Sequence, residues 1–132
     1  MTPLAVVQAF VNCISAQDVD GLAALMTENH RFIDSLGQTI TGREAMRAGW
    51  RGYFGMVPDY GLAAESWLCE GPIVAMFGKA GGTYSPDGVR GAAREWSCPG
   101  AFRAVVRGEL VEEWRVYADN EPIRQLMRSL AT

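Results

Sequence analysis

The sequence predicts a single α+β domain of cone shape, with three N-terminal helices packed inside a strongly curved, antiparallel or mixed β-sheet and a short C-terminal helix. Three observations predict it. Up to Val57 the apolar residues recur mainly at the three- and four-residue steps of helices, with one short stretch of period two. From Tyr60 onward, four extended segments follow one another, parted by turn sequences. Gly78, Gly81 and Gly82 stand inside the second of these, where a bulge or sharp bend would curve a sheet around its contents.

The first helix starts at Thr2-Pro3, a capping hydroxyl followed by proline at the first helical position. Leu4, Val7, Phe10, Val11 and Ile14 give it one apolar face, and it runs to about Ala16. Asp18 caps a second helix, Val19 to Met26, with Leu22, Leu25 and Met26 as its stripe. A strand follows from His30, with His30, Phe32 and Asp34 on one side, and ends at Gly37. Thr41-Gly-Arg-Glu44 has the pattern of a capping box. The third helix then reaches Met56 and stops at Val57-Pro58. Its inner face, carrying Met46, Trp50, Tyr53 and Phe54, is unusually aromatic. The extended segments are Tyr60 to Cys69, Ile73 to Thr83, about Arg94 to Val106, and Leu110 to Ala118. Asp119-Asn120-Glu-Pro122 opens the terminal helix, which ends near Leu130.

With 132 residues, 48% hydrophobic and 20% charged, the chain can bury one real core. The net charge is −3 and the basic residues are scattered, which argues against nucleic acid or an anionic membrane as partner. No apolar run approaches the ~20 residues of a membrane span. The opening Met1-Thr2-Pro3-Leu4 lacks the basic segment and apolar run of a secretory signal, so a cytoplasmic location is expected. Cys13, Cys69 and Cys98 are an odd, widely spaced set that encodes neither a zinc site nor a disulfide framework, and they read as buried free thiols. Without a phosphate loop, metal-ligand set or nucleophile–base pair, no cofactor and no metal are expected.

Three stretches carry a resemblance: VVQAFVNCISAQDVDGLAALMTENHRFIDSLG, TGREAMRAGW, and GELVEEWRVYADNEPIRQLM. Together they resemble the nuclear transport factor 2-like superfamily, which includes ketosteroid isomerases, limonene epoxide hydrolases and SnoaL-like polyketide cyclases. The resemblance covers almost the whole chain, and it implies the cone-shaped fold. The superfamily hosts unrelated chemistries, so activity has to be argued from residues.

By this resemblance Asp34 falls on the isomerases' general base, a carboxylate that moves a proton beside a carbonyl while two donors hold the enolate oxygen. The donor positions differ, because Phe10 replaces the tyrosine of the first helix and Gly100 the protonated aspartate of the third long strand. Trp50 stands where some isomerases carry a supporting tyrosine, and its indole can donate one hydrogen bond. Losing one donor costs on the order of 10² to 10³ in rate, so steroid isomerisation by the usual route is not expected. The epoxide hydrolases' Asp-Arg-Asp set would need polar groups where Cys98, Gly100 and Val116 stand, which excludes that chemistry.

What remains resembles the SnoaL-like members, with Asp34 and His30 as candidate catalytic residues. They are four apart on one strand face, roughly 13 Å, so only a ligand or water chain could bridge them. His30 is the only histidine and could equally be structural. Asp34 could instead serve its turn by accepting backbone amides. The ligand-binding wall would come from helix-borne Phe10, Trp50, Tyr53 and Phe54 and strand-borne Phe32, Trp96 and Trp114. Such an aromatic stripe is either core or the lining for a flat, hydrophobic ligand. Asp119 leaves the inner face and reads as a helix cap. Glu112, Glu113 and Arg115 read as the charged outer face, through which the resemblance implies a homodimer. The functional expectation is an isomerase, cyclase or hydratase acting on an apolar carbonyl-containing small molecule. The alternative is a non-catalytic ligand-binding or protein-interaction domain with an apolar cavity.

Overall fold

The computed structural model describes residues 1–131. Helix α1, Pro3–Ser15, begins as its sequence dictates, with the Thr2 hydroxyl accepting from the amide of Ala5 at 3.1 Å. Its Val6, Val7, Phe10, Val11 and Ile14 are buried. Helix α2, Val19–Ala24, is capped by Asp18, whose Oδ1 accepts from Gly21 at 2.9 Å. It is shorter than the periodicity predicts, because Met26 already belongs to strand β1, Met26–Ile33. The amide of Val111 donates to Leu25 O at 2.6 Å, and Met26 pairs with Val111. Pairing with a strand from the far end of the chain overrides the local helical pattern.

Strand β2, Thr39–Thr41, forms a hairpin with β1 that the sequence reading did not contain. It also overturns the capping box. Thr41 is used in the ladder opposite Arg31, and Gly42 at φ +113° starts helix α3, Arg43–Met56, without a side-chain cap. Glu44 turns instead to Arg47 at 3.1 Å. The Gly42 amide donates to His30 O at 2.8 Å, which locks the start of α3 to β1.

Strands β3 (Gly61–Glu70) and β4 (Ile73–Thr83) come next, and a short 3-10 turn at Ala92–Arg94 precedes β5 (Glu95–Arg107). Strand β6 (Leu110–Ala118) and helix α4 (Glu121–Leu130) complete the chain. The six strands lie in the order β2-β1-β6-β5-β4-β3, antiparallel throughout except for the parallel β1–β6 pair. The sheet is therefore mixed. A bulge occurs where Gly78 was expected to mark one, but the extra residue, Glu65, belongs to β3. A Cβ on Gly78 would lie 2.0 Å from Ala63 O, so the bulge demands glycine there.

Register sorts the two faces of the sheet. Phe32, Trp114, Ala104, Val74 and Cys69 form one cross-strand row on the inner face, under the helices. Leu68, Ala75, Arg103 and Arg115 form a row on the outer face. There Glu113 is held by Arg103 at 2.8 Å and Arg31 at 3.3 Å, and the Arg115 guanidinium lies 5.0 Å over the Tyr117 ring. All three cysteines are free, but only Cys98 is buried. Cys13 is half-buried, and Cys69 is exposed near the end of the edge strand β3.

Candidate active site

The β1–β2 hairpin builds the reactive corner. Asp34 Oδ1 accepts the backbone amides of Leu36 and Gln38, both at 2.9 Å, while Oδ2 accepts no hydrogen bond from the described residues. One oxygen of the carboxylate thus serves the turn while the other makes no hydrogen bond to the described residues. Asp34 is half-buried and lines a cavity of about 260 Å³. Beside it stand Phe32 of β1, and Ser35 and Ile40 of the hairpin. Helix α3 adds Met46, Gly49, Trp50 and Tyr53, the turn after it adds Tyr60, and β6 adds Trp114 and Val116. Asn120, which starts α4, completes the rim and donates from Nδ2 to Ser35 Oγ at 3.0 Å.

Trp50 is the centre of the aromatic wall. Phe32 meets it at 6.1 Å and 80°, and Tyr53 at 6.4 Å and 87°. Tyr53 and Tyr60 meet edge to face at 4.9 Å. Trp50 Nε1 is buried and has no hydrogen-bond partner. Neither phenol is hydrogen-bonded to the described residues, and burial pushes both pKa values up, with the Cys98 thiol adding to the effect on each. Both hydroxyls stay protonated across the physiological range and remain available as donors.

Of the residues predicted for the site, Asp34, Phe32, Trp50, Tyr53 and Trp114 share the cavity. His30 does not line it. Its side chain is fully buried against Phe10, 6.0 Å between rings, and Nδ1 donates to Val111 O at 2.7 Å. Desolvation pushes its pKa down, more than the bond to Val111 raises it, so the ring is a neutral core group. Phe10 packs on Trp114 at 5.2 Å, behind the wall rather than in it. Phe54 backs Trp50 at 5.3 Å. Trp96 stacks on Tyr60 at 6.1 Å and lines a separate shallow cleft with Asp59. The Asp59 carboxylate is occupied by the amide and hydroxyl of Thr83, both at 2.7 Å. Asp119 stands one residue before the N-cap Asn120, and its Oδ1 accepts the amide of Glu121 at 2.9 Å, a turn bond at the entry to α4 rather than the expected N-cap.

Tyr60, Ser35, Asn120 and Gly49 were not foreseen as lining. Tyr60 is the residue just before β3, and no periodicity assigns a face to a turn. Asn120 read only as a helix start, and its reach to Ser35 spans 85 positions. Val116 follows by alternation from Trp114 on the same strand face, and it lines the cavity as that alternation predicts.

Residues 7–114 match the model of the SnoaL-like domain, and the chain belongs to that family. Among solved structures it is similar to a candidate SnoaL-like polyketide cyclase of Shewanella denitrificans, at 15% identity and TM-score 0.81, covering 96% of this chain and 97% of that one. A candidate SnoaL-like polyketide cyclase of Jannaschia is 22% identical, with TM-score 0.77 and coverage of 95% and 88%. A protein of ketosteroid isomerase-like fold from Catenulispora acidiphila, determined in complex with trimethylamine, is 18% identical, with TM-score 0.77 and coverage of 89% and 88%. No curated protein matches by sequence. At these identities the similarity to solved structures shows the fold. No helix among the described residues is long and apolar enough to cross a membrane.

Proposed function

We propose that this protein is a cytoplasmic small-molecule enzyme of the isomerase, cyclase or hydratase type, in which Asp34 moves a proton on an apolar carbonyl-containing substrate. The observation that carries the reading is the divided carboxylate. Oδ1 is fixed by two backbone amides, Oδ2 is unpartnered by the described residues, and Asp34 lines an aromatic cavity. A base held in one orientation loses little entropy on reaching its proton. The Tyr53 and Tyr60 hydroxyls supply donors for a substrate oxygen in a place other than the Phe10 and Gly100 positions. At about 260 Å³ the cavity lies just below the usual size of ligand pockets, which favours a compact substrate over a large polycyclic one. The names of the candidate polyketide cyclases among its structural neighbours are in keeping with carbonyl chemistry.

The same reading includes a homodimer through the outer sheet face, where Leu68, Phe77 and Tyr117 are exposed. Exchange of C–H for C–D next to the carbonyl of a panel of small apolar ketones in D2O, followed by NMR, tests the proton transfer. Wild-type protein is expected to accelerate exchange for at least one of them, and Asp34→Asn to lower that rate at least 100-fold. Equal rates in the two proteins would remove Asp34 from the mechanism.

A further inference from the structure

The cavity wall has a charge pattern that its shape alone does not require. Five aromatic side chains line it, Phe32, Trp50, Tyr53, Tyr60 and Trp114, and no lysine, arginine or histidine does. Its one charged group is Asp34, with Oδ2 unpartnered by the described residues. The faces of aromatic rings carry negative potential, so rings and carboxylate act in the same sense. The ring planes also stand across one another. Tyr53 is at 87° to Trp50 and 89° to Tyr60, and Phe32 is at 80° to Trp50. Rings set at right angles to one another leave the wall without a single flat slot, which suits a compact head better than a planar one.

We infer that the ligand of this cavity carries a positively charged organic group, a substituted ammonium or protonated nitrogen heterocycle, held among these rings with Asp34 as its counter-ion. The inference rests on reading the cavity as a small-molecule site, and it narrows the carbonyl-containing substrate of that reading to one that also carries such a cationic group. An anionic aromatic box discriminates by charge between molecules of one shape, because a cation is attracted by the rings and the carboxylate and a neutral ligand by neither. A ligand that brings its own positive charge also suits a pocket with Phe10 and Gly100 at the family's positions for stabilising negative charge.

Choline and 3,3-dimethylbutan-1-ol test this, since they differ only in nitrogen against carbon at the branched centre. In titration calorimetry at low salt, choline is expected to bind at least tenfold more tightly than the alcohol. Asp34→Asn, whose amide oxygen can still accept from Leu36 and Gln38, is expected to cut that preference about tenfold. Tyr53→Phe keeps the ring and should keep the preference, whereas Tyr53→Leu should weaken it, with circular dichroism confirming that each variant is folded. Equal binding of the two probes, or a choline preference that survives both Asp34→Asn and Tyr53→Leu, would overturn the inference and leave the small-molecule site standing. Binding of neither probe would also overturn the inference, and the exchange of the ketone panel then decides the small-molecule reading on its own.

Discussion

Asp34 shows how one side chain serves structure and chemistry together. Its turn role was legible in Asp-Ser-Leu-Gly, and its place at the cavity followed from alternation with Phe32. Because Oδ1 alone makes the turn bonds, Asp34→Asn should change stability by less than about 0.5 kcal/mol in urea unfolding, even where it abolishes proton transfer. A larger loss would mean that both oxygens are structural. His30 followed the same alternation and ended elsewhere, because period two gives the side of a strand and not the depth along it. Held neutral in the core, its pKa is pushed below the ordinary 6.5, so below that pH the unfolded chain takes up a proton that the folded one resists. Its stability contribution is complete above about pH 6.5 and falls as pH drops through and below that value. His30→Gln should flatten that part of the profile of urea midpoints between pH 8 and pH 5, and an unchanged slope would place the titration in another group.

Among the elements, α3 and the β1–β2 hairpin decide the cavity's outline, and the β3–β4 hairpin decides the bend of the sheet. The aromatic face of α3 was readable from helical spacing, yet Gly49 within it passed unnoticed because glycine carries no periodic signal. A Cβ there would meet only Met46 at 3.6 Å, an ordinary contact, while occupying space at the wall. Gly49→Ala should therefore stabilise the helix by up to about 1 kcal/mol, raising the melting temperature by a few degrees, and weaken ligand binding at the same time. Gly78→Ala should do the reverse of the first effect. With Ala63 O in the way, the bulge must open, and a loss of about 2 kcal/mol or more is expected in thermal or urea unfolding. Strand β2 was invisible to local pattern because its three residues are all exposed and make sense only against β1.

For the whole molecule, helices followed by a curved sheet were legible from the change of period near Tyr60, and the parallel β1–β6 pair was not. That pairing joins residues more than 80 positions apart, and no sequence period reports it. The outer sheet face leaves Leu68, Phe77 and Tyr117 exposed beside the Arg103–Glu113–Arg31 network. If this face joins two copies, Phe77→Glu with Leu68→Glu should shift light scattering from dimer to monomer mass without loss of circular dichroism, and an unchanged mass would exclude the sheet as the interface. The central claim is that the Asp34 cavity receives a small molecule, and the four tryptophans report on it because Trp50 and Trp114 line it while Trp67 and Trp96 do not. In a titration with small apolar ketones and alkylammonium ions, followed by the four indole N–H resonances in 15N-correlated NMR, Trp50 and Trp114 are predicted to shift in a saturable way while Trp67 stays fixed. Movement of Trp67 or Trp96 alone, or of none of the four, would contradict the account.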